Sequence, residues 1–359
     1  MHGGEEADQL CHAGAIAGAP SSNSETHGTA ALESSLPARL DHIRDLHAAS
    51  KLLQCHRVLT TTDHHLPPLP RSPSLSHIRR TCAESAAFYA ALTDPDPARP
   101  WTPAYAGPDA RVFHRGEEDG ACELKVEGVV HAPVMALMGM VYEVELYGDV
   151  FGFVKGVEVL AETGEMEKAV RVGFAAPWPL AGREMAAFAY AVDDLDEGGA
   201  VVVVLRDVRE GDVGRDGAQV EVPEAERGTV VRMEVRFAVM ELRPQSATET
   251  DLKMMICVDP KLAFMPLAFV NWAARSVFRF SLRILESKSQ NLSDEHRKRM
   301  ESRPVYGHIR QRVRDFLARQ SIEFREDEKV DPRHRSSFDS QARAEAPSRS
   351  VMLKFLGFR

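Results

Sequence analysis

Two neighbouring segments of the chain alternate apolar and charged side chains with a period of two. They cover residues 229–242 and 248–258. Successive side chains of a strand point to opposite faces, so each segment predicts a strand with one buried face and one solvated face. Such alternation favours an antiparallel sheet, because parallel strands are usually apolar on both faces. The apolar residues that should share the buried face are Val231, Met233, Val235, Phe237, Leu252, Met254 and Ile256.

Other segments supply further strands and several helices. Strands are predicted at residues 121–130, 185–193 and 200–208, and the glycines of Glu197-Gly198-Gly199 predict a hairpin turn between the last two. Ser293 is a suitable N-cap for one of the helices. Apolar residues at helical spacing predict helices at 36–58, 81–92, 132–145, 264–287, 294–301 and 305–324.

The helix at 264–287 is the longest, and it is apolar around much of its circumference in its first half. Such a helix must be buried on more than one side. Its interior ridge should contain Phe264, Leu267, Asn271 and Phe278. Arginines recur every four residues along the same helix and therefore line one face. These are Arg275, Arg279 and Arg283.

Composition divides the chain into a predicted domain between two flanks. Residues 1–78 are mostly disordered in this interpretation, with a short helix and a Pro-rich linker, and residues 79–288 form the folded domain. Residues 289–359 form a basic, partly helical and partly disordered tail. Residues 288–359 carry 17 basic and 11 acidic side chains, whereas the whole chain has a net charge of −9. That net charge argues against a nucleic-acid binder.

Cysteine usage and the absence of targeting signals predict a cytoplasmic protein. The five cysteines are scattered, which indicates reduced thiols, and no apolar run is long enough to span a membrane. His56, His64 and His65, near Cys55 and Asp63, are the strongest metal-ligand candidates, but they lack a second cysteine pair. We therefore expect no metal or cofactor, and no nucleophile–base pair stands at a recognisable spacing.

Several segments in order resemble START domains, the lipid-transfer branch of the Bet v 1-like (SRPBCC) superfamily. They are residues 142–147 (YEVELY), 177–184 (PWPLAGRE), 258–261 (VDPK) and 265–271 (MPLAFVN). The resemblance spans residues 82–286. It implies an α+β helix-grip fold, in which a curved antiparallel sheet wraps around a long C-terminal helix and encloses a cavity.

The resemblance also implies site residues. The seven apolar strand residues, together with Phe264, Leu267, Asn271 and Phe278, would contact a lipid, and methionine suits variable acyl chains. Arg183 would lie at the cavity mouth, although a surface ion pair that orients its turn is an alternative. Arg275, Arg279 and Arg283 would contact a membrane, unless they form a solvated helix face. The strand faces themselves would otherwise form a filled core.

The function implied is non-enzymatic binding of one lipid, with transfer between membranes or lipid sensing. The expected partners are a lipid and, transiently, a membrane surface, and the protein is expected to be monomeric. Two alternatives stay open. One is a cyclase or hydrolase on the same fold, which the apolar strand faces argue against. The other is an interaction module that binds no ligand.

Overall fold

The computed structural model describes residues 35–61, 68–93, 98–107, 110–116, 121–176, 181–214, 218–225, 229–261 and 279–320. The chain divides into two units. One contains residues 1–42 and 62–69, and the other contains residues 43–61 and 70–359. The described part of the first unit is mainly the beginning of helix α1, and the second unit contains the sheet and the remaining helices.

Helices precede, interrupt and follow the strands. The strands are β1 (Thr102–Ala106), β2 (Ala110–Gly116), β3 (Cys122–Val130), β4 (Val154–Glu162), β5 (Glu167–Phe174), β6 (Gly182–Asp194), β7 (Ala200–Asp207), β8 (Val230–Arg232), β9 (Glu234–Pro244) and β10 (Thr250–Asp259). The helices are α1 (Leu36–Ala48), α2 (Leu52–Thr60), α3 (Pro73–Thr93), α4 (Val134–Tyr142), α5 (Tyr147–Val150), α6 (Arg279–Gln290), α7 (Asp294–Ser302) and α8 (Pro304–Arg319). A 3-10 turn, Val144–Leu146, joins α4 to α5.

The strands form one open, curved sheet in the order β1-β2-β3-β10-β9-β7-β6-β5-β4. Every neighbouring pair along this path is antiparallel, and β8 adds a short parallel pairing to β6. The combination of helices with a curved antiparallel sheet confirms the predicted α+β helix-grip class. Gly199, with φ of 70°, lies in the β6–β7 hairpin, so the predicted turn is also confirmed.

The predicted elements that fall on described residues are present with shifted boundaries, and four strands were missed. Of the helix expected over 264–287, residues 264–278 lie outside the described residues, and α6 covers the remainder. The helix expected over 36–58 is interrupted at Ser50, whose φ is 57°. Helix α3 begins at Pro73 rather than residue 81, because proline at the first position of a helix loses no intrahelical hydrogen bond. Strands β1, β2, β4 and β5 were not predicted, since their alternation is mixed or short.

Packing extends beyond both ends of the predicted domain, residues 79–288. Helices α2 and α3 lie against one face of the sheet, while α7 and α8 pack on α4. The Tyr306 hydroxyl donates to Glu143 Oε1 at 2.9 Å, and Arg299 Nη1 lies 3.1 Å from Glu143 Oε2. Ser293 caps α7 by accepting from the His296 amide, as predicted. Among the residues described, no helix is both long and apolar enough to cross a membrane.

Candidate functional site

The concave face of the sheet and three helices line an apolar cavity of about 450 Å³ that is open on one side among the described residues. Alternating residues of β10 line it, and β7 and β9 continue the same wall. Helix α6 contributes Leu282 and Leu285, which lie three residues apart on one helix face. Strand residues along the wall are Val203, Leu205, Val235, Ala238, Met240, Leu252, Met254, Ile256 and Val258.

Strand register brings these side chains together. Met254 of β10 is paired with Met240 of β9, which is in turn paired with Val203 of β7. On its other side Met254 is paired with Val126 of β3. Side chains paired across antiparallel strands project to the same face and pack against each other. One continuous apolar surface therefore runs across four strands.

A β-bulge in β9 changes which of the predicted residues share this face. Cys257 is paired with Phe237, but the next residue of β10, Val258, is paired with Val235, so Arg236 is an extra residue. An extra residue reverses the alternation on one side of the bulge. Val235 therefore faces the cavity, whereas Phe237 faces away and stacks on Phe88 of α3 with ring centroids 4.9 Å apart. The expectation that Phe237 shares the cavity face is wrong for this reason.

The other predicted lipid contacts fall into three groups. Met233, Val235, Leu252, Met254 and Ile256 all line the cavity. Val231 is paired with Arg183 at the β6–β8 edge and is not among the lining residues described. The remaining predicted contacts lie outside the described residues, and they are Phe264, Leu267, Asn271 and Phe278.

This architecture is similar to that of several proteins of known structure. No family model matches the sequence, and no curated protein matches it. The crystal structure of human STARD10 matches with a TM-score of 0.51 at 12% identity, covering 63% of this chain and 86% of that one. Human StAR-related lipid transfer protein 5 matches with a TM-score of 0.46 at 17% identity, over 64% of this chain and 100% of the other. Zhui aromatase/cyclase from Streptomyces sp. R1128 matches with a TM-score of 0.31 at 13% identity, over 50% and 96%.

The chain has the START-domain fold. The likeness to STARD10 supports this statement, and at 12% identity it concerns the fold alone. The predicted resemblance is thus confirmed at the level of architecture.

At one end of the START fold's cavity, the chain leaves β10 through a fixed turn. Pro260 lines the cavity and its carbonyl accepts from Arg183 Nε at 2.8 Å. Arg183 Nη1 also donates to the Ala181 carbonyl at 2.7 Å, and burial lowers the pKa of this guanidinium. Lys261, with φ of 52°, donates its amide to Asp259 Oδ1 at 2.7 Å. Arg183 therefore joins two chain segments at this end through backbone carbonyls rather than through a surface ion pair.

A smaller chamber of about 70 Å³ adjoins the main cavity and contains a buried ammonium group. Lys168 Nζ has no hydrogen-bond partner among the described residues, lies 3.7 Å from Glu145 Oε2 and lies 4.0 Å from the centroid of the Tyr142 ring. Burial lowers the pKa of Lys168. Sequence reasoning missed this residue, because Lys168 interrupts the otherwise apolar face of β5 and the opposite face mixes charged and small side chains. A ligand with a hydrogen-bond acceptor would find a donor there.

The main cavity offers apolar contact rather than acid–base chemistry. Among its described lining residues, Tyr147 carries the polar group, and its hydroxyl donates to the Val141 carbonyl at 2.7 Å. Burial raises the pKa of Tyr147. The hydroxyl is therefore neutral and already bonded at ordinary pH. The arrangement suits the hydrocarbon portion of a ligand.

The side chains of two of the three predicted membrane-contact residues are not described. Arg275 lies outside the described residues, and Arg279 is the first residue of α6, of which only the backbone is described. Arg283 lies one turn further along α6, and its residue is partly buried. Leu282, beside it in sequence, faces the cavity. Arg283 is therefore carried by the helix that forms one wall of the apolar cavity.

Proposed function

We propose that this protein binds a single lipid non-enzymatically and carries or senses it. The observation behind the proposal is the continuous apolar wall of β10, β9 and β7 facing Leu282 and Leu285 of α6 around about 450 Å³. Burial of hydrocarbon contributes roughly 0.8 kcal/mol per methylene, so about a dozen methylenes contribute on the order of 10 kcal/mol. That is enough to offset much of the entropic cost of association.

The enzyme alternative has no support in the lining of the main cavity. General acid–base catalysis needs a titratable group within reach of the reacting atoms. The described lining of the main cavity contains no Asp, Glu, His or Lys, and Tyr147 is bonded to a backbone carbonyl. Binding without chemistry accounts for this apolar lining and for the open volume between the described residues.

Entry of a lipid requires that one wall moves. Helix α6 is the proposed moving wall, since it contacts the cavity through only Leu282 and Leu285 among its described residues, whereas the strands are held by ladder hydrogen bonds. Helix displacements of this kind occur on the microsecond to millisecond scale. Arg275, Arg279 and Arg283 would then meet anionic headgroups while the helix is displaced. The protein is proposed to act as a monomer in the cytoplasm.

Native mass spectrometry of the purified, tag-free chain tests lipid binding directly. We expect the parent to carry one lipid mass, either co-purified or added as a fluorescent fatty acid. Ala238→Trp fills the cavity and should reduce occupancy at least about tenfold, which corresponds to 1.4 kcal/mol.

A matched control places the same ring outside the cavity. Val129 in β3 is 40% exposed, so Val129→Trp should bind lipid like the parent. Absence of any lipid adduct in the parent, or equal occupancy in Ala238→Trp, would contradict the proposal.

A further inference from the structure

A second cluster of chemically capable side chains lies on the convex face of the sheet, away from the cavity. His47 is in the last turn of α1, His77 is in the first turns of α3, and Glu167 is the first residue of β5. The potential ligand atoms of the three residues all lie within 4.8 Å of one another. His47 Nε2 is 3.6 Å from Glu167 Oε1, and His77 Nε2 is 4.0 Å from Glu167 Oε2.

These groups are mostly buried and incompletely bonded. The side chains of His47, His77 and Glu167 are 18%, 13% and 10% exposed. His47 Nε2 and His77 Nδ1 are buried nitrogens without a hydrogen-bond partner. Buried polar atoms are nearly always satisfied, so the unpaired His47 Nε2 beside the Glu167 carboxylate needs an explanation. The nitrogen of His77 that faces the same carboxylate is Nε2. The separations of 3.6 and 4.0 Å are too long for direct hydrogen bonds.

The same separations suit a shared metal ion. Bonds of 2.0–2.1 Å from a tetrahedral zinc ion place neighbouring ligand atoms about 3.3 Å apart. The two histidine–carboxylate distances exceed that spacing by less than 1 Å, and the largest separation within the cluster, at most 4.8 Å, exceeds it by up to about 1.5 Å, which shifts of the side chains would close. Thr163 Oγ1 donates to Glu167 Oε2 at 3.3 Å, which is the kind of outer contact that orients a ligating carboxylate.

We propose that His47, His77 and Glu167 bind one divalent transition-metal ion, with Zn²⁺ the preferred ion and water completing its coordination. Two imidazoles and a carboxylate are a common zinc donor set. This inference is independent of lipid binding and revises the sequence-based expectation that no metal is bound. His47, His77 and Glu167 are separated by 30 and 90 positions in the chain, so no local sequence motif identifies them. The sequence-based candidates His56, His64 and His65 were chosen because they are close in sequence.

A metal ion at this position would link α1 and α3 to β5. The unfolded chain does not hold the three ligands together, so the ion would bind mainly to the folded state. Its binding would therefore raise the free energy of unfolding. The ion would thus fasten the helical layer to the convex face. The ring of His77 already packs edge-on against Phe188 of β6, with centroids 6.0 Å apart, so this side chain is held against the sheet.

Zinc titration of the tag-free, full-length chain after treatment with a chelator tests the proposal. Calorimetry should show one strong Zn²⁺ site, and the melting temperature should rise on adding Zn²⁺. His77→Ala and Glu167→Gln should each weaken zinc binding at least about 100-fold, since losing a ligand costs at least as much as losing an outer contact. His56→Ala, in α2 of the same helical layer, should bind zinc like the parent.

Circular dichroism checks that each variant is folded, and His47→Gln replaces any variant that is not. Zinc affinity that is unchanged in the folded ligand variants would overturn the proposal, as would the absence of a strong site in the parent. Parallel titrations with Fe²⁺ and Mn²⁺ test the choice of ion. Tighter binding of either than of Zn²⁺ would overturn the zinc assignment.

Discussion

The two faces of the sheet differ in what packs against them. Met254 and Met255 are neighbours in β10, yet Met254 lines the cavity, whereas Met255 is completely buried on the other face beside Val239 of β9. The main cavity on the concave side is apolar around open volume, and the buried ammonium of Lys168 lies in the smaller chamber beside it. The convex side is closed by α2 and α3 and contains buried charges.

Those buried charges form a fixed network. Arg206 and Asp212 have no exposed side-chain surface, and the guanidinium donates to both carboxylate oxygens, at 2.7 and 2.9 Å. Arg206 Nε also donates to Glu84 of α3 at 2.6 Å. Such groups are tolerated in an interior only in one well-bonded geometry, so they fix where α3 docks.

The difference between the faces shows how one sheet supports two tasks. Directional bonds on the convex face require particular partners and hold the helices in place. Apolar contacts on the concave face are non-directional, so they tolerate different occupants. An empty apolar volume lowers stability, and an apolar ligand would restore the missing contacts.

Breaking the convex network should give the largest effect on stability. Asp212→Ala leaves Arg206 buried without its bidentate partner, and we expect a loss of about 3–5 kcal/mol in the free energy of unfolding. Urea denaturation measures it. Arg209→Ala, which removes a half-exposed partner of Glu84, should cost under about 1 kcal/mol. Equal losses for the two variants would show that the convex charges do not specify the packing.

The three arginines that are predicted to contact a membrane should affect membrane binding specifically. Replacing Arg275, Arg279 and Arg283 with Gln should weaken binding to anionic liposomes by up to about 3 kcal/mol at low salt, at roughly 1 kcal/mol per charge. Liposome co-sedimentation measures the change. The same charge loss at Arg297, Lys298 and Arg314 of α7 and α8 provides the control. A similar loss of binding in both triple variants would indicate general charge attraction rather than contact through α6.

Substitutions at Phe237 and Met233, which are close in sequence, should separate an effect on stability from an effect on lipid binding. Phe237→Ala removes the half-buried ring that stacks on Phe88 and should cost about 2 kcal/mol of stability without changing lipid affinity. Met233→Ala removes a cavity contact and should weaken lipid binding instead. Fluorescent-lipid titration and urea denaturation distinguish the two effects. Reduced lipid affinity in Phe237→Ala would place this side chain back on the cavity face.

Asp194 should make the convex side sensitive to pH. Burial raises the pKa of Asp194 to about 6, above its ordinary value, so the folded state binds the proton more tightly than the unfolded state. Its contribution is therefore fully present below about pH 4 and is lost as pH rises through about 6, by up to about 3 kcal/mol. Asp194→Asn should remove this difference when unfolding free energies of parent and variant are compared between pH 4 and 7. A parent-minus-variant difference that does not change with pH would refute the assignment.

Sequence reasoning predicted most of the antiparallel sheet because β9 and β10 alternate clearly. It misplaced Phe237 because a one-residue bulge at Arg236 has no distinct sequence signature, and every position on one side of it changes face. Strand β5 escaped prediction because Lys168 faces the chamber while Glu167 faces the helices, so neither face is uniformly apolar.

The cavity wall could be predicted from β10, but the polar clusters could not. Leu252, Met254 and Ile256 follow from simple alternation. The contacts of Arg206 with Glu84 and of Glu143 with Tyr306 join residues more than 100 positions apart. Such pairings depend on which elements pack together, and local patterns carry no information about that.

The most direct test of the account compares Met254→Trp with Met255→Trp. Both variants add the same ring at adjacent positions. Met254→Trp should reduce fluorescent-lipid uptake at least about tenfold. Its free energy of unfolding should fall by under about 1 kcal/mol, because the cavity accepts the ring. Met255→Trp should overpack the closed face and cost about 1–3 kcal/mol, with lipid affinity unchanged. Parent-like lipid uptake by Met254→Trp, together with a stability loss equal to that of Met255→Trp, would mean that the concave face is a filled core and would contradict the account.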